Sequence, residues 1–318
     1  MRLTMAWSWR SPRNSFSTVM QFIYSSSYHA DLGPHVFPIK KYHLIYERLR
    51  VEHDLPTNAF IAPQPAQLEQ LLRVHSEVYW DDLEKLRLSK RTAYSELPLT
   101  HEIVAMFVLA CGGTIRAAEA ALAQGVAVHI GGGFHHAFAE RAEGFCYLND
   151  LAVAVREMQA LGKIRRAMVV DCDLHQGNGT AKIFAGDQKV FTFSMHQENL
   201  YPIKEQSDFD LHLPDGIRDE EYLALLMEHL PRCLDEFKPE LIIYQAGADP
   251  YEHDQLGDLK LTLAGLAQRD RCVYQSARER LIPIAVTLGG GYAYDTADTV
   301  AIHVNTCLIA REFFARGK

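Results

Sequence analysis

Asp171-Cys172-Asp173-Leu174-His175 places two carboxylates and an imidazole within one short stretch of chain. The apolar run Ala167-Met168-Val169-Val170 precedes it, and Gln176-Gly177-Asn178-Gly179 follows. This reads as a buried strand running into polar groups and then a glycine-rich turn. Side chains alternate along a strand, so Asp171, Asp173 and His175 face one way if the extended form continues. Three such groups at the end of a buried strand are costly if left unpaired. A metal ion offsets that cost, and oxygen and imidazole donors suit Zn²⁺. The plainer alternative is a strand end with surface acids, Asp173 capping the next helix.

Three other apolar runs end in the same way. Residues 126–130 lead into Gly131-Gly132-Gly133-Phe134-His135-His136. Residues 241–244 lead into Gln245-Ala246-Gly247-Ala248-Asp249-Pro250, and residues 282–288 into Gly289-Gly290-Gly291-Tyr292. Residues 190–194 form a further apolar strand. Between these runs the spacing predicts helices over 65–86 (Leu68, Leu71, Leu72 and Val78 apolar), 103–124, 148–161, 219–237, 261–280 and 297–316. Short apolar strands alternating with helices predict one α/β domain, a mostly parallel central sheet with helices on both faces. Ligands bind outside the carboxyl ends of such strands, so four loops can meet at one point.

Composition narrows the partners. The chain has 318 residues, enough for one large domain or two small ones, and no repeat or low-complexity linker divides it. A net charge of −8 argues against a broad basic face for nucleic acid. The cysteines (Cys111, Cys146, Cys172, Cys233, Cys272, Cys307) form no C-x-x-C pair, and several sit in apolar segments. That predicts a reduced, cytoplasmic protein. No apolar run approaches about 18 residues, so no membrane span is expected. Residues 1–19 carry Arg2, Arg10 and Arg13 and no acid. We expect an extraneous or disordered extension, with Met20 as the true start and 20–318 as the catalytic domain.

Each piece has a plain alternative. His135-His136 could be loop histidines, Asp249 a turn acid before Pro250, and Tyr292 a packing aromatic. Cys146 reads as a buried thiol rather than a nucleophile. His29, His35, His43 and His129 read as structural or surface residues. Neither G-x-S-x-G nor G-x-G-x-x-G is present, against a serine hydrolase and a dinucleotide fold.

Taken in order, GGGFHH, EGFCYLND, VVDCDLHQGNG, FSMH, AGADP and LGGGY resemble the histone deacetylase superfamily, zinc-dependent amidohydrolases of the arginase-deacetylase fold. The resemblance runs from about Phe22 to the last helix. It leans to the class IV branch through GGGFHH, the Gly-Gly-Thr helix near Gly112 and DxDxHQGNG.

The resemblance implies roles. Asp173, His175 and Asp249 would hold zinc, with Fe²⁺ as a second candidate, and leave a position open. His135 and His136 would flank the attacking water, with Asp171 orienting His135. Asn178 would stand behind His136 where class I members carry an Asp, favouring neutral imidazole. His136 would take the water's proton and pass it to the leaving amine. Tyr292 would steady the oxyanion. Gly144, Phe145 and Tyr201 would wall an acyl-lysine tunnel. A structural K⁺ would lie near Asp171, Asp173, His175, Ser194 and Met195. The implied substrate is an acylated lysine in a peptide or protein. An acetylpolyamine or other small acyl-amine is the nearest rival, and a non-catalytic metal-binding scaffold is the rival from another class. Only one set of metal ligands is evident, which disfavours an arginase-like ureohydrolase. Oligomeric state is not legible.

Overall fold

The computed structural model describes residues 20–315. The extension 1–19 and the expected helix end at 316 lie outside the described residues. The chain begins with β1 (Phe22–Ile23), α1 (Lys41–Val51), β2 (Phe60–Ile61), α2 (Leu68–Leu71), α3 (Glu77–Glu84) and α4 (His101–Gln124). Then come β3 (Val126–His129), α5 (Asp150–Ala160), β4 (Ala167–Asp171), α6 (Asn178–Phe184), β5 (Val190–Gln197) and β6 (Phe209–Leu213). The last elements are α7 (Asp219–Phe237), β7 (Leu241–Gln245), α8 (Leu263–Glu279), β8 (Ile284–Thr287) and α9 (Thr296–Ala315).

The strands form one sheet in the order β2-β1-β3-β8-β7-β4-β5-β6, every neighbour parallel. Every residue of β3, β4, β7 and β8 is buried. That explains runs that are apolar throughout rather than alternating. One helical group, α4 with α5 and α3, packs on β3 and β8; the other, α9 with α1 and α8, reaches β3. This is the α/β architecture expected, and β1, β2, β6, α1 and α6 add to it.

Two expectations need correction. Residues 65–86 are not one helix. Ser76 is extended and its side chain accepts from the Tyr79 N–H, starting α3 afresh. The preceding His75 ring is buried between the Phe138 carbonyl and the Asn149 N–H. Val78 and Leu68 are exposed, and of the four apolar residues at helical spacing only Leu71 is buried. The second correction concerns α4. This helix is long and apolar enough by composition to cross a membrane, which no such run was expected to be. Its apolar window is 78% buried inside the protein, where it packs on α5, β3 and β8, so its character is that of a core helix. Thr100 caps its start by accepting from the Ile103 N–H.

Candidate active site

The four chemistry-bearing strands, β3, β8, β7 and β4, are consecutive in the sheet. Their carboxyl-end loops therefore lie side by side, and hydrogen bonds stitch them together. Gln245 Nε2 donates to the Gly133 carbonyl at 2.7 Å. The Gly290 N–H donates to Asp173 Oδ2 at 2.9 Å, and the Leu174 N–H to Asp249 Oδ1 at 3.0 Å. The contacts are tight: a Cβ on Gly290 would lie 2.0 Å from Asp249 Oδ2.

The extended form does not continue through Asp171, Asp173 and His175. β4 stops at Asp171, whose Oδ1 accepts the Asp173 N–H at 3.1 Å. This local bond turns the chain. Asp171 reaches His135, while Asp173 and His175 join Asp249. Asp173 does not cap α6, which starts after Gly177 without a side-chain cap.

Asp173, His175 and Asp249 are buried, and one donor atom from each lies within 4.8 Å of the others. His175 Nδ1 is 3.4 Å from Asp173 Oδ1 and 3.4 Å from Asp249 Oδ2. Two donors bound tetrahedrally at ~2.1 Å from one zinc ion are about 3.4 Å apart. Asp249 Oδ2 is buried with no hydrogen-bond donor among the described residues. Burial alone would lower the His175 pKa, but the two carboxylates outweigh it and raise it to about 10. Groups that retain a proton so firmly would retain a metal cation in its place. The donor set therefore fits a divalent metal.

His135 and His136 line the pocket above this cluster. His135 Nδ1 donates to Asp171 Oδ2 at 2.7 Å. His136 Nδ1 lies 2.8 Å from Asn178 Oδ1. Burial lowers both imidazoles, yet Asp171 and Asp173 raise His135 to about 9. His136 has only an amide behind it; burial, then the His135 and His175 charges, drive it well below its usual range. Tyr292 lines the same pocket. Burial and then Asp249 push its phenol well above its ordinary value, so it stays a hydrogen-bond donor.

Gly144 and Phe145 also line the pocket. The Phe145 ring meets Tyr292 edge-on, with centroids 5.9 Å apart. Tyr201 stands beside them, 43% exposed, its ring 5.4 Å from that of His136. Ser194 and Met195 are elsewhere, on β5. Ser194 is the ladder partner of Asp171, and its hydroxyl pairs with His196 Nδ1 at 2.9 Å. Cys146 lines the pocket but is a buried thiol, its pKa raised well above normal by burial.

Sequence reasoning missed several residues here. Lys41 is fully buried and donates to the carbonyls of Gly289 and Gly290 at 2.6 and 3.2 Å, anchoring the loop before Tyr292. Asp254 Oδ2 accepts the Tyr292 N–H at 2.7 Å. The buried Arg269 donates to the carbonyls of Gly247 and Cys172, beside two of the candidate ligands. Phe37 adds a pocket wall, and His35, read as structural or surface, packs edge-on against Phe145 at 4.6 Å. All come from segments with no motif of their own. Lys41 is the first residue of α1 and follows Lys40, so nothing local in the sequence marks it out.

Known proteins resemble this chain in sequence and fold. A profile of the histone deacetylase domain matches residues 35–308. An uncharacterized protein of Picosynechococcus sp. is 39% identical over 88% of this chain and 94% of its own length. Histone deacetylase 2 of Arabidopsis thaliana is 33% identical over 89% of this chain and 77% of its own. A probable deacetylase of Archaeoglobus fulgidus is 33% identical over 82% of this chain and 77% of its own. Among solved structures, an HDAC homolog from Aquifex aeolicus superimposes with a TM-score of 0.78 at 26% identity, covering 92% of this chain and 84% of that one. The same figures hold for an HDAC homolog complexed with SAHA. With the profile spanning most of the chain and the sheet-edge site built as described, the protein belongs to the histone deacetylase family.

Proposed function

We propose that this deacetylase is a zinc-dependent hydrolase of the linear amide on an acylated lysine side chain in a peptide or protein. The observation that carries the proposal is the pocket itself. Its walls are aromatic (Phe37, Phe134, Phe145, Tyr292), and the carboxylate among its lining residues, Asp173, lies with the metal-ligand cluster. Such a slot suits an uncharged alkyl stem ending in an amide. An acetylated polyamine carries further ammonium groups, and among the described residues no carboxylate other than Asp173 lines the pocket to pair with them. The name of the Arabidopsis relative points the same way.

Asp173, His175 and Asp249 would hold the zinc ion, or Fe²⁺. When bound, such an ion supplies Lewis acidity and makes a water acidic near neutral pH. The chain's own groups do the rest. His136, kept neutral by its surroundings, takes the proton of the attacking water at Nε2 and returns it to the departing amine. His135, anchored on Asp171, holds that water from the other side. Tyr292 donates its phenolic proton to the oxygen on which charge develops. A structural K⁺ near Asp171, Asp173, His175, Ser194 and Met195 belongs to the same reading, as does a class IV-like branch. So does a cytoplasmic location, supported by six free, buried cysteines.

The test is a substrate panel: zinc-loaded protein with acetyl-, octanoyl- and myristoyl-lysine peptides and acetylated polyamines. Peptide hydrolysis is expected. Preference for free acetylpolyamines would move the substrate to small amines, and no hydrolysis with zinc bound would favour the scaffold.

A further inference from the structure

A chain of hydrogen bonds runs behind His136, passes through Glu143 at the head of the EGFCYLND stretch, and ends on Arg141. Asn178 Oδ1 lies 2.8 Å from His136 Nδ1. Asn178 Nδ2 donates to Glu143 Oε1 at 2.6 Å. Arg141 donates to Glu143 Oε2 through Nε and Nη2, at 3.2 and 3.1 Å. Asn178 is 1% exposed, and the Glu143 side chain 18%.

An amide can face its neighbours either way round. Turned over, Asn178 would offer its NH₂ to His136 Nδ1. The ring proton would then sit on Nε2, and the pocket side of the imidazole would have no lone pair. A carboxylate has no proton to offer, so Glu143 accepts only. Asn178 must therefore present Nδ2 to Glu143 and Oδ1 to the imidazole. His136 must donate through Nδ1–H, which leaves its lone pair on Nε2. No hydrogen bond among the described residues engages that atom.

The backbone delivers Glu143 by a strained turn. The Glu143 N–H donates to the Cys146 carbonyl at 3.1 Å, and the Cys146 N–H to the Glu143 carbonyl at 2.9 Å. Both residues between them are left-handed, Gly144 at φ +49 and Phe145 at φ +62. This is a type I′ turn, with a bulky aromatic where glycine or asparagine is normal. One two-residue loop thus aims a ring into the pocket and a carboxylate behind the base. Gly144 is held by the same crowding: a Cβ there would lie 2.7 Å from His136 Cδ2.

We propose that Glu143 is a positioning residue that fixes the Asn178 amide and, through it, the tautomer of His136. Arg141 holds the carboxylate in place. This rests on the reading of His136 as the base, and the experiment separates the two.

Full-length zinc-loaded protein is compared as wild type, Glu143→Ala, Glu143→Gln, Asn178→Asp and Glu143→Ala/Asn178→Asp, with His136→Ala as reference. Kinetics use the best substrate of the panel. The ring nitrogen shifts of His136 are read by NMR on histidine-labelled protein, and thermal melts confirm folding. Glu143→Ala is expected to lower kcat by about 10- to 100-fold, the range for losing one charge-assisted hydrogen bond, with KM little changed. Its His136 shifts should move from the Nδ1–H form to a mixture. Glu143→Gln keeps an acceptor and should fall less. Asn178→Asp alone faces Glu143 with a second carboxylate, and should be slower than the double variant, in which the introduced carboxylate offers His136 only acceptor atoms. Wild-type kcat and an unchanged tautomer in Glu143→Ala, or a loss that the double variant does not recover, would overturn the proposal. Wild-type turnover in His136→Ala would overturn the base assignment instead, while the NMR readout still decides what Glu143 does.

Discussion

Buried histidines at two places in this protein differ in how their ring nitrogens are used. His75 and His129 commit both. His75 donates to the Phe138 carbonyl and accepts from the Asn149 N–H; His129 pairs with Thr114 Oγ1 at 2.9 Å and Tyr28 Oη at 2.7 Å. At the carboxyl edge of the sheet, His135 and His136 have a hydrogen bond at Nδ1 only, and both residues line the pocket. Burial does not separate the groups, since all four rings are under 9% exposed. What separates them is an uncommitted nitrogen beside a cavity: a ring with two partners is scaffold, and a ring with one can exchange a proton. Within the edge pair, adjacent residues are driven in opposite directions, His135 up by carboxylates and His136 down by burial.

The comparison breaks most visibly if the edge groups can be removed without loss. His136→Ala and Tyr292→Phe are each expected to lower kcat by about 10²- to 10⁴-fold, the range for a general acid–base or oxyanion group, with melting temperatures near wild type. Initial rates on an acyl-lysine peptide measure this; near wild-type turnover in both would return these residues to the scaffold class.

His75 sharpens the other half. Burial depresses its pKa from the ordinary 6.5 to about 4, against which its backbone hydrogen bonds act weakly. As pH falls, the unfolded chain takes up this proton first. The contribution is therefore whole above about pH 6.5 and is lost as pH falls toward about 4, by about 3 kcal/mol in all. Between about pH 7 and pH 5, urea denaturation should show wild type losing about 2 kcal/mol more than His75→Gln. Equal slopes would mean that His75 titrates in the folded state as it does in the unfolded one.

Much of the site is legible in the sequence because chemistry follows apolar runs directly. Each of the four strands ends within a few residues of a carboxylate, histidine or tyrosine that the fold brings to one place. The strand order is not legible. That β3, β8, β7 and β4 are neighbours depends on long crossovers, and no local signal encodes it. The extended reading of Asp171 to His175 fails because an aspartate can bond the backbone two residues on, which a period-two pattern ignores. The helix expected over 65–86 breaks because a tertiary demand on His75 outweighs a favourable spacing. Lys41, Asp254 and Glu143 act through partners far away in the chain, and Glu143, although it opens the EGFCYLND stretch, shows no role until Asn178 is placed beside it.

The central claim is that Asp173, His175 and Asp249 bind a metal on which the hydrolysis depends. The most direct measurement is to strip the protein with a chelator, dialyse, and add back zinc while following metal content, folding and initial rate on an acyl-lysine peptide. We predict a folded, inactive apoprotein that recovers its rate as one equivalent per chain binds, and an Asp249→Asn variant that neither binds zinc tightly nor recovers. A metal-free protein that hydrolyses the peptide at the untreated rate would contradict the account.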